Sequence, residues 1–359
     1  MTLAQVWMAG PSLTAPGGMS AVVTAYRDAG LFESAGVRYL NTYESPRLAT
    51  QLLVFGRAWL ALLRGLMAGR VALLHVHSAS RGSFWRKSLL CALARWFRVP
   101  YLFHIHSGEF EVFATQECGR FAGRWLRLTL GHAHSVLVLT PGWQLALQPL
   151  APTVVCVVVP NPVVLPDLEP APRGLRRRLI FLGRIRQKKG AFDLLRAMAK
   201  VLPKVPDATL VMAGDGEIEA ARALCADLGL QHCVSFPGWI DGQAKEAALR
   251  ASDVFVLPSY FEGLPIGILE AMASGVVVVA SPVGGVPDLL TAGVDGRLVA
   301  AGDIQGLADA LVHVLLSSRD ADSMVAAAWQ RVQEHDVNRV VAILSQLYAS
   351  ARLSRRQSS

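Results

Sequence analysis

The chain has 359 residues and a mass of 38.6 kDa, enough for about two domains at roughly 150 residues each. Hydrophobic residues make up 52% and charged residues 17%, which excludes a disordered chain. Gly (31) and Pro (19) exclude collagen-like or linker-like composition. The formal charge of +8 is uneven: residues 1–160 hold 14 Lys+Arg against 6 Asp+Glu, and residues 161–359 hold 21 of each. Such asymmetry suits the first half to a polyanionic partner, either a lipid surface or a nucleic acid.

In chain order, Leu3–Met8, Val71–Val76, Pro100–Ile105, Ser135–Leu139 and Val154–Val159 read as short, buried strands. Between them Met19–Ala29, Ala49–Met67, Phe84–Phe97 and Phe110–Leu130 read as helices. Pro160 to Arg178 holds five prolines and the basic run Arg176–Arg178, a composition suited to an interdomain linker. The second half repeats the scheme, with strands at Leu179–Leu182, Ala208–Met212, Val234–Phe236, Val254–Leu257 and Val276–Ala280. Helices are expected at Phe192–Leu202, Glu217–Leu228, Gln243–Ala251 and Pro265–Ser274. Strand–helix alternation of this kind predicts α/β architecture: two Rossmann-like, doubly wound parallel-sheet domains facing across a cleft. The expected division is 1–160, a linker at 161–178, a second domain at 179–335 and a C-terminal helix at 336–359 packing back toward the first domain.

Five scattered cysteines (Cys91, Cys118, Cys156, Cys225, Cys233) form no C-x-x-C pair, which points to reduced thiols in the cytosol. Met1 to Met8 lacks the basic and long apolar regions of a signal peptide. The stretch most like a membrane span, Leu52–Ala68, carries Arg57 and Arg64, each costing about 2.5 kcal/mol or more at a bilayer centre.

Three stretches carry chemistry. After Val254–Leu257 come Glu262, in a loop, and Glu270, inside the following helix, with Pro265 at its start and Gly275 past its end. Carboxylates beside a helix N-terminus that attracts phosphate suit the hydroxyls of a phosphorylated polyol. After Leu179–Leu182, the run Gly183-Arg184-Ile185-Arg186-Gln187-Lys188-Lys189-Gly190 places four cations in one short loop; it is either a phosphate grip or a solvated basic loop, and it is no Walker A sequence. After the first strand, Pro16-Gly17-Gly18-Met19-Ser20 would let the backbone approach a ligand closely, without the G-x-G-x-x-G of a nicotinamide site.

Together these stretches resemble glycosyltransferase family 4, the retaining group with the GT-B fold. The E-x7-E element stands as Glu262…Glu270 within FEGLPIGILEAMASG, accompanied by LGRIRQKKG, AGDGE (213–217), VSFPGW (234–239), SPVGGVPDLL (281–290) and VDGRLV (294–299). PGGMS, HIHSGEF (104–110) and VVPNPV (158–163) match more loosely, and Pro162 departs from the glycine often found after the family's Asn, here Asn161. The resemblance implies a donor diphosphate held by Arg184 and Lys189, ribose hydroxyls bound by Glu270 and the transferred sugar bound by Glu262. It also implies backbone N–H groups from Gly263, Leu264, Pro265 and Ile266, closure on the donor by Gly17 and Gly18, and a cleft histidine at His106, with His104 its rival. The implied substrate is a nucleotide diphosphate sugar, UDP-sugar favoured over GDP-sugar, with no cofactor and no metal. The implied partners are a glycan or polyprenyl-diphosphate-linked acceptor and the inner face of the plasma membrane, where the protein would sit peripherally. Bacterial exopolysaccharide, capsule or lipopolysaccharide synthesis is the expected setting. A sugar-nucleotide epimerase of similar fold and a non-catalytic sugar-nucleotide-binding protein are the alternatives.

Other motifs have bland readings. His75-x-His77, His104-x-His106 and His132-x-His134 each place two imidazoles on one strand face if extended, but no carboxylate or thiol cluster accompanies them as a metal site would require. Asp320-Ala321-Asp322 reads as a helix cap after Ser317-Ser318. Arg120, Arg124 and Arg127 form a stripe beside Phe121, Trp125 and Leu128, the pattern of a basic amphipathic helix at a membrane; ordinary packing on a sheet is the alternative. No nucleic-acid module appears, so no nucleic-acid partner is expected.

Overall fold

In a computed structural model of the chain, residues 4–15, 17–44, 47–171, 174 and 176–357 are described. Leu3, Pro16, Pro172, Ser358 and Ser359, assigned above to the first strand, the glycine turn, the linker and the last helix, lie outside them. The chain forms two compact units, one of residues 1–162 with 336–359 and one of residues 163–335.

The first unit is built on six parallel strands: β1 (Gln5–Gly10), β2 (Val37–Asn41), β3 (Val71–Ser78), β4 (Tyr101–Ile105), β5 (Ser135–Val138) and β6 (Cys156–Val158), in the order β2-β1-β3-β4-β5-β6. Strand β3 is buried along its whole length, its two histidines included, as expected for a strand covered on both faces. Residue pairing sets the two faces. Trp7 lies opposite Leu74, and Met8 lies opposite His75, so Trp7 and His75 point to opposite sides of the sheet. On the Trp7 side the helices Leu48–Met67, Gly82–Trp96 and Arg120–Gly131 supply a core rich in Phe84, Phe103 and Phe113. Gly65 makes this packing possible, because a Cβ there would fall 2.5 Å from the Trp7 ring. On the other side, the helix Val337–Gln357 brings Tyr348 to His75, with a 2.7 Å bond between its hydroxyl and Nδ1.

The second unit repeats the six parallel strands: β7 (Arg178–Leu182), β8 (Thr209–Ala213), β9 (Val234–Gly238), β10 (Val254–Leu257), β11 (Val277–Ala280) and β12 (Arg297–Leu298), in the order β12-β11-β10-β7-β8-β9. Read from β9, this is the 3-2-1-4-5-6 arrangement of dinucleotide-binding sheets. The run Arg176–Arg178, read above as linker, is anchored in this unit. Buried Arg176 pairs with Asp322, Arg177 with Asp207, and Arg178 with buried Asp253.

Several boundaries differ from expectation for physical reasons. The expected helix Phe110–Leu130 is broken: a π-type turn closes with Cys118 N–H on the Phe113 carbonyl, Gly119 is extended, and a new helix begins at Arg120. Strand β2 was missed because only Leu40 of its five residues is buried, and β12 was missed because it is two residues long. His132 ends the helix Arg120–Gly131 and His134 precedes β5, so this pair shares no strand face.

The Tyr348 contact gives a direct test. Tyr348→Phe leaves His75 Nδ1 buried without its partner, and is expected to destabilise the first unit by about 1–3 kcal/mol. The denaturant transition of that unit should shift while the transition of the second unit stays in place.

Candidate functional site

In the second unit the sheet order reverses between β7 and β10. Helices following these two strands diverge there, leaving a crevice at the carboxyl ends. The loop 183–190 after β7 and the loop 258–265 after β10 meet at this place. Gly190 adopts φ 67°, and a Cβ there would lie 2.0 Å from the Pro258 carbonyl oxygen, so only glycine fits. The Tyr260 N–H donates to the Lys188 carbonyl at 3.0 Å, and the Tyr260 hydroxyl donates to Asp193 at 2.8 Å.

These contacts set the chemical groups. Lys189 Nζ and the Ser259 hydroxyl both donate to Glu262 Oε1 at 2.6 Å, and the Glu262 side chain is almost wholly buried. Among the described residues Oε2 of Glu262 has no hydrogen-bond partner. Glu270, in the helix Ile266–Ala273, takes Lys245 of the helix Gly242–Ala251 on its Oε1. Arg184 lies 3.5 Å from Asp215, both about half exposed. An exposed pair of this kind is worth about 0–1 kcal/mol, so the guanidinium is easily drawn to a stronger anion. The structure therefore brings Arg184, Lys189, Glu262 and Glu270 onto adjoining loops and helices, with Asp215 on Arg184, Ser259 on Glu262 and Lys245 on Glu270 as partners that no sequence spacing marks.

One expectation is corrected. Pro265 is a proline and has no N–H, so the backbone donors of this stretch are those of Gly263, Leu264 and Ile266. Pro265 is extended and precedes the helix, whose first residue is Ile266. The two aspartates of 320–322 serve structure. Asp320 accepts from Ser317 and lies 3.0 Å from His313 Nε2, and Asp322 holds Arg176.

In the first unit, Gly17 precedes the helix Gly18–Asp28, which begins with no side-chain cap. His75 and His77 of β3, with His104 of β4, are fully buried, and His106 just beyond β4 is partly exposed. Their rings form a chain. His75 Nε2 lies 3.3 Å from His104 Nδ1, and His77 Nδ1 lies 2.8 Å from His106 Nε2. Of the two histidines singled out by sequence, only His106 reaches solvent. Burial and the charge of nearby Lys87 push His106 down to about 3; burial and His106 push His75 to about 3. Burial first, and then the neighbouring rings, hold His77 and His104 well below the ordinary range. At neutral pH the four are uncharged donors and acceptors. Ligand atoms of His75, His77 and His104 lie within 4.8 Å of one another, the spacing of a potential metal group, but both ring nitrogens of His75 are engaged in hydrogen bonds.

Trp125 departs from the expected membrane stripe. It packs against the core, and its indole N–H donates to the Ser88 hydroxyl at 2.9 Å. Phe121, 93% exposed, and Arg120, Arg124 and Arg127 do face outward. The described cysteines are unpaired thiols.

Comparison with known proteins places these features. A model of the Glycosyl transferase 4-like domain matches residues 5–162, and one of Glycosyl transferases group 1 matches residues 176–317. A phosphatidyl-myo-inositol mannosyltransferase of Mycobacterium leprae is 34% identical over 205 residues, covering 55% of this chain and 54% of its own length. A UDP-Gal:alpha-D-GlcNAc-diphosphoundecaprenol alpha-1,3-galactosyltransferase of Escherichia coli is 27% identical over 282 residues, 72% of this chain and 70% of its own. The chain spans about half the length of the first curated relatives it matches. Among solved structures, sucrose-phosphate synthase from Thermosynechococcus elongatus covers 98% of this chain and 100% of its own, with TM-score 0.75 and 20% identity. Anabaena Alr3699/HepE, solved with UDP and glucose, covers 97% and 100%, with TM-score 0.74 and 18% identity. These likenesses show that the two parallel-sheet units form the GT-B architecture.

The uncharged histidine chain makes stability depend on pH. A histidine whose folded value lies below its unfolded one binds its proton in the unfolded state first. Stability then falls as pH drops below about 6.5, by about 1.4 kcal/mol per pH unit for each such group. The denaturant midpoint of the first unit should fall between pH 7.5 and pH 5.5, above the carboxylate range. A flat profile would contradict the neutral chain.

Proposed function

The chain belongs to the group 1 glycosyl transferases, and from that premise we propose that it transfers a hexose from a nucleotide diphosphate sugar to a glycan or lipid-linked acceptor with retention of configuration. The observation that carries this reading is the Lys189–Glu262 pair at the carboxyl edge of the second sheet, with Glu270 in the next helix and Arg184 on the adjoining loop. Oε2 of Glu262 accepts sugar hydroxyls, and Glu270 accepts those of the ribose, because ionised carboxylates are the strongest acceptors for such donors. Lys189 retains two N–H donors beyond the one given to Glu262. With Arg184 and the N-terminus of the helix Ile266–Ala273, it faces the negative charge that grows on the departing diphosphate.

In the transfer, the bond between the anomeric carbon and the phosphate oxygen breaks as the acceptor oxygen bonds to that carbon on the same face. The acceptor's proton passes to the leaving phosphate oxygen. His106 serves the sugar end as a neutral hydrogen-bonding group, since a cation is disfavoured there. The charges needed by the leaving group reside in the chain, so the reaction proceeds without a metal ion. A UDP-sugar is the favoured donor, in keeping with the UDP named in the Alr3699/HepE structures.

The acceptor side supports work at a membrane surface, as a peripheral protein on the inner face of the plasma membrane in bacterial polysaccharide synthesis. Among the described residues no helix is long and apolar enough to cross a membrane. Instead, the helix Gly82–Trp96 packs against both Leu48–Met67 and Arg120–Gly131; Phe121 is exposed on the same helix as the outward-facing Arg120, Arg124 and Arg127, and Leu52, Leu53 and Trp96 are exposed on the other two. Apolar side chains among cations suit an anionic leaflet.

Lys189→Ala and Arg184→Ala should each lower turnover about 10²–10³-fold, roughly 2.7–4 kcal/mol at the transition state. The check is transfer from UDP-sugars to lipid-linked acceptors, with product anomericity read by NMR and activity unchanged by EDTA. Wild-type turnover in a folded double variant would remove the phosphate role. Replacing Arg120, Arg124 and Arg127 by Glu should abolish sedimentation with anionic vesicles, each arginine contributing about 1 kcal/mol. Binding by the wild type should be released by high salt, and neutral vesicles should bind neither form.

A further inference from the structure

The first unit has its own reversal of strand order, between β1 and β3. At that point lies a cavity of about 260 Å³, lined by Gly17 and Ser20 of the first turn, Tyr43, and Ser83, Arg86 and Lys87 of the helix Gly82–Trp96. Lys87 is 1% exposed. Its only hydrogen-bond partner among the described residues is the Ser83 hydroxyl, at 3.4 Å. Arg86 stacks over the Tyr43 ring at 5.4 Å, reaches the Gln51 side-chain oxygen at 3.4 Å, and keeps Nε buried with no partner. No carboxylate among the described residues pairs with either cation. The helices Gly18–Asp28 and Gly82–Trp96 both begin beside the cavity without a side-chain cap.

A buried ammonium next to a second cation, with no counter-ion, is costly. Two helix N-termini add partial positive charge at the same spot. Both charged side chains that line this cavity are therefore cations, and an entering anion would supply the counter-charge they lack. We propose that the cavity over Lys87 and Arg86 binds a phosphate or diphosphate group of the acceptor. This rests on the reading of the second unit as the donor site: Arg184 and Lys189 there supply the cations for the donor diphosphate, leaving those of the first unit to the other substrate. Burial, and then the neighbouring Arg86, push Lys87 down to about 7, and an entering anion reverses that by pairing with the charged form. A diphosphate next to an acceptor sugar and a free phosphorylated acceptor share this chemistry.

The test uses the full chain saturated with UDP and titrated by calorimetry with inorganic pyrophosphate, farnesyl diphosphate and farnesol. Pyrophosphate and farnesyl diphosphate should bind and farnesol should not. Lys87→Met and, independently, the part-exposed Arg86→Gln should weaken pyrophosphate at least tenfold, with UDP affinity within twofold of wild type. Tighter binding of farnesyl diphosphate than of pyrophosphate supports the site with a lipid-linked source; equal or weaker binding supports it with a soluble phosphorylated source. The proposal is overturned if pyrophosphate binds only when UDP is absent, if it does not bind at all, or if both variants bind it as wild type does. Failure of UDP itself to bind would instead remove the donor reading, and the two variants titrated without UDP would still decide the anion site.

Discussion

A parallel sheet obliges each strand to hand on to a helix at its carboxyl end, and strand order decides where two neighbouring handovers part company. In the second unit this happens between β7 and β10, in the first between β1 and β3. The crevice at each reversal is a consequence of topology, and both sets of functional candidates sit on it. Lys189 and Glu262 occupy one; Gly17, Arg86 and Lys87 occupy the other. The two crevices differ in electrostatics. The second unit sets carboxylates against its cations, which suits a ligand carrying both hydroxyls and phosphates. The cavity of the first unit has cations alone.

Within the second crevice the Lys189–Glu262 contact carries a double burden. Glu262 is nearly removed from water, and an unpaired carboxylate there would be expensive. Its two donors both fall on Oε1, so the pair fixes the carboxylate while leaving the other oxygen for a substrate. The close approach of Gly190 to Pro258 holds the two loops at the separation this contact needs. A side chain at position 190 would push them apart and turn a positioned acceptor into a loose surface acid.

Much of this was legible in the sequence, and the reason is local. The strands β10 and β11 are continuous apolar runs and β3 and β7 are mostly apolar, and Glu262, Glu270, Arg184 and Lys189 fall in short segments after β7 and β10 whose spacing is visible along the chain. What stayed hidden depends on tertiary contact. Lys245 comes to Glu270 from another helix, and Asp215 comes to Arg184 from the loop after β8. Nothing in the sequence sets Lys87 apart from the other cations of the helix Gly82–Trp96; only packing shows it 1% exposed and facing a cavity. Trp125 looked like a membrane anchor because helical periodicity does not say which of two adjacent stripes meets Ser88. The edge strand β2 lacked a pattern because one of its faces has little to bury.

The position of the last helix bears on how the chain is made. Residues 163–335 form the second unit without interruption, whereas the first unit takes its final helix from beyond them. His75 meets Tyr348 across 273 positions of sequence. On the ribosome, every strand of the first sheet emerges before Tyr348 has been translated, and although Tyr26 of the helix Gly18–Asp28 can already meet His77, His75 waits without its partner while the second unit receives its whole chain. The unit synthesised first is thus the one completed last. Until the helix Val337–Gln357 docks, the nascent protein leaves exposed the part of this face around His75 that the helix will cover, a surface of the kind that draws chaperones or other copies of the same chain.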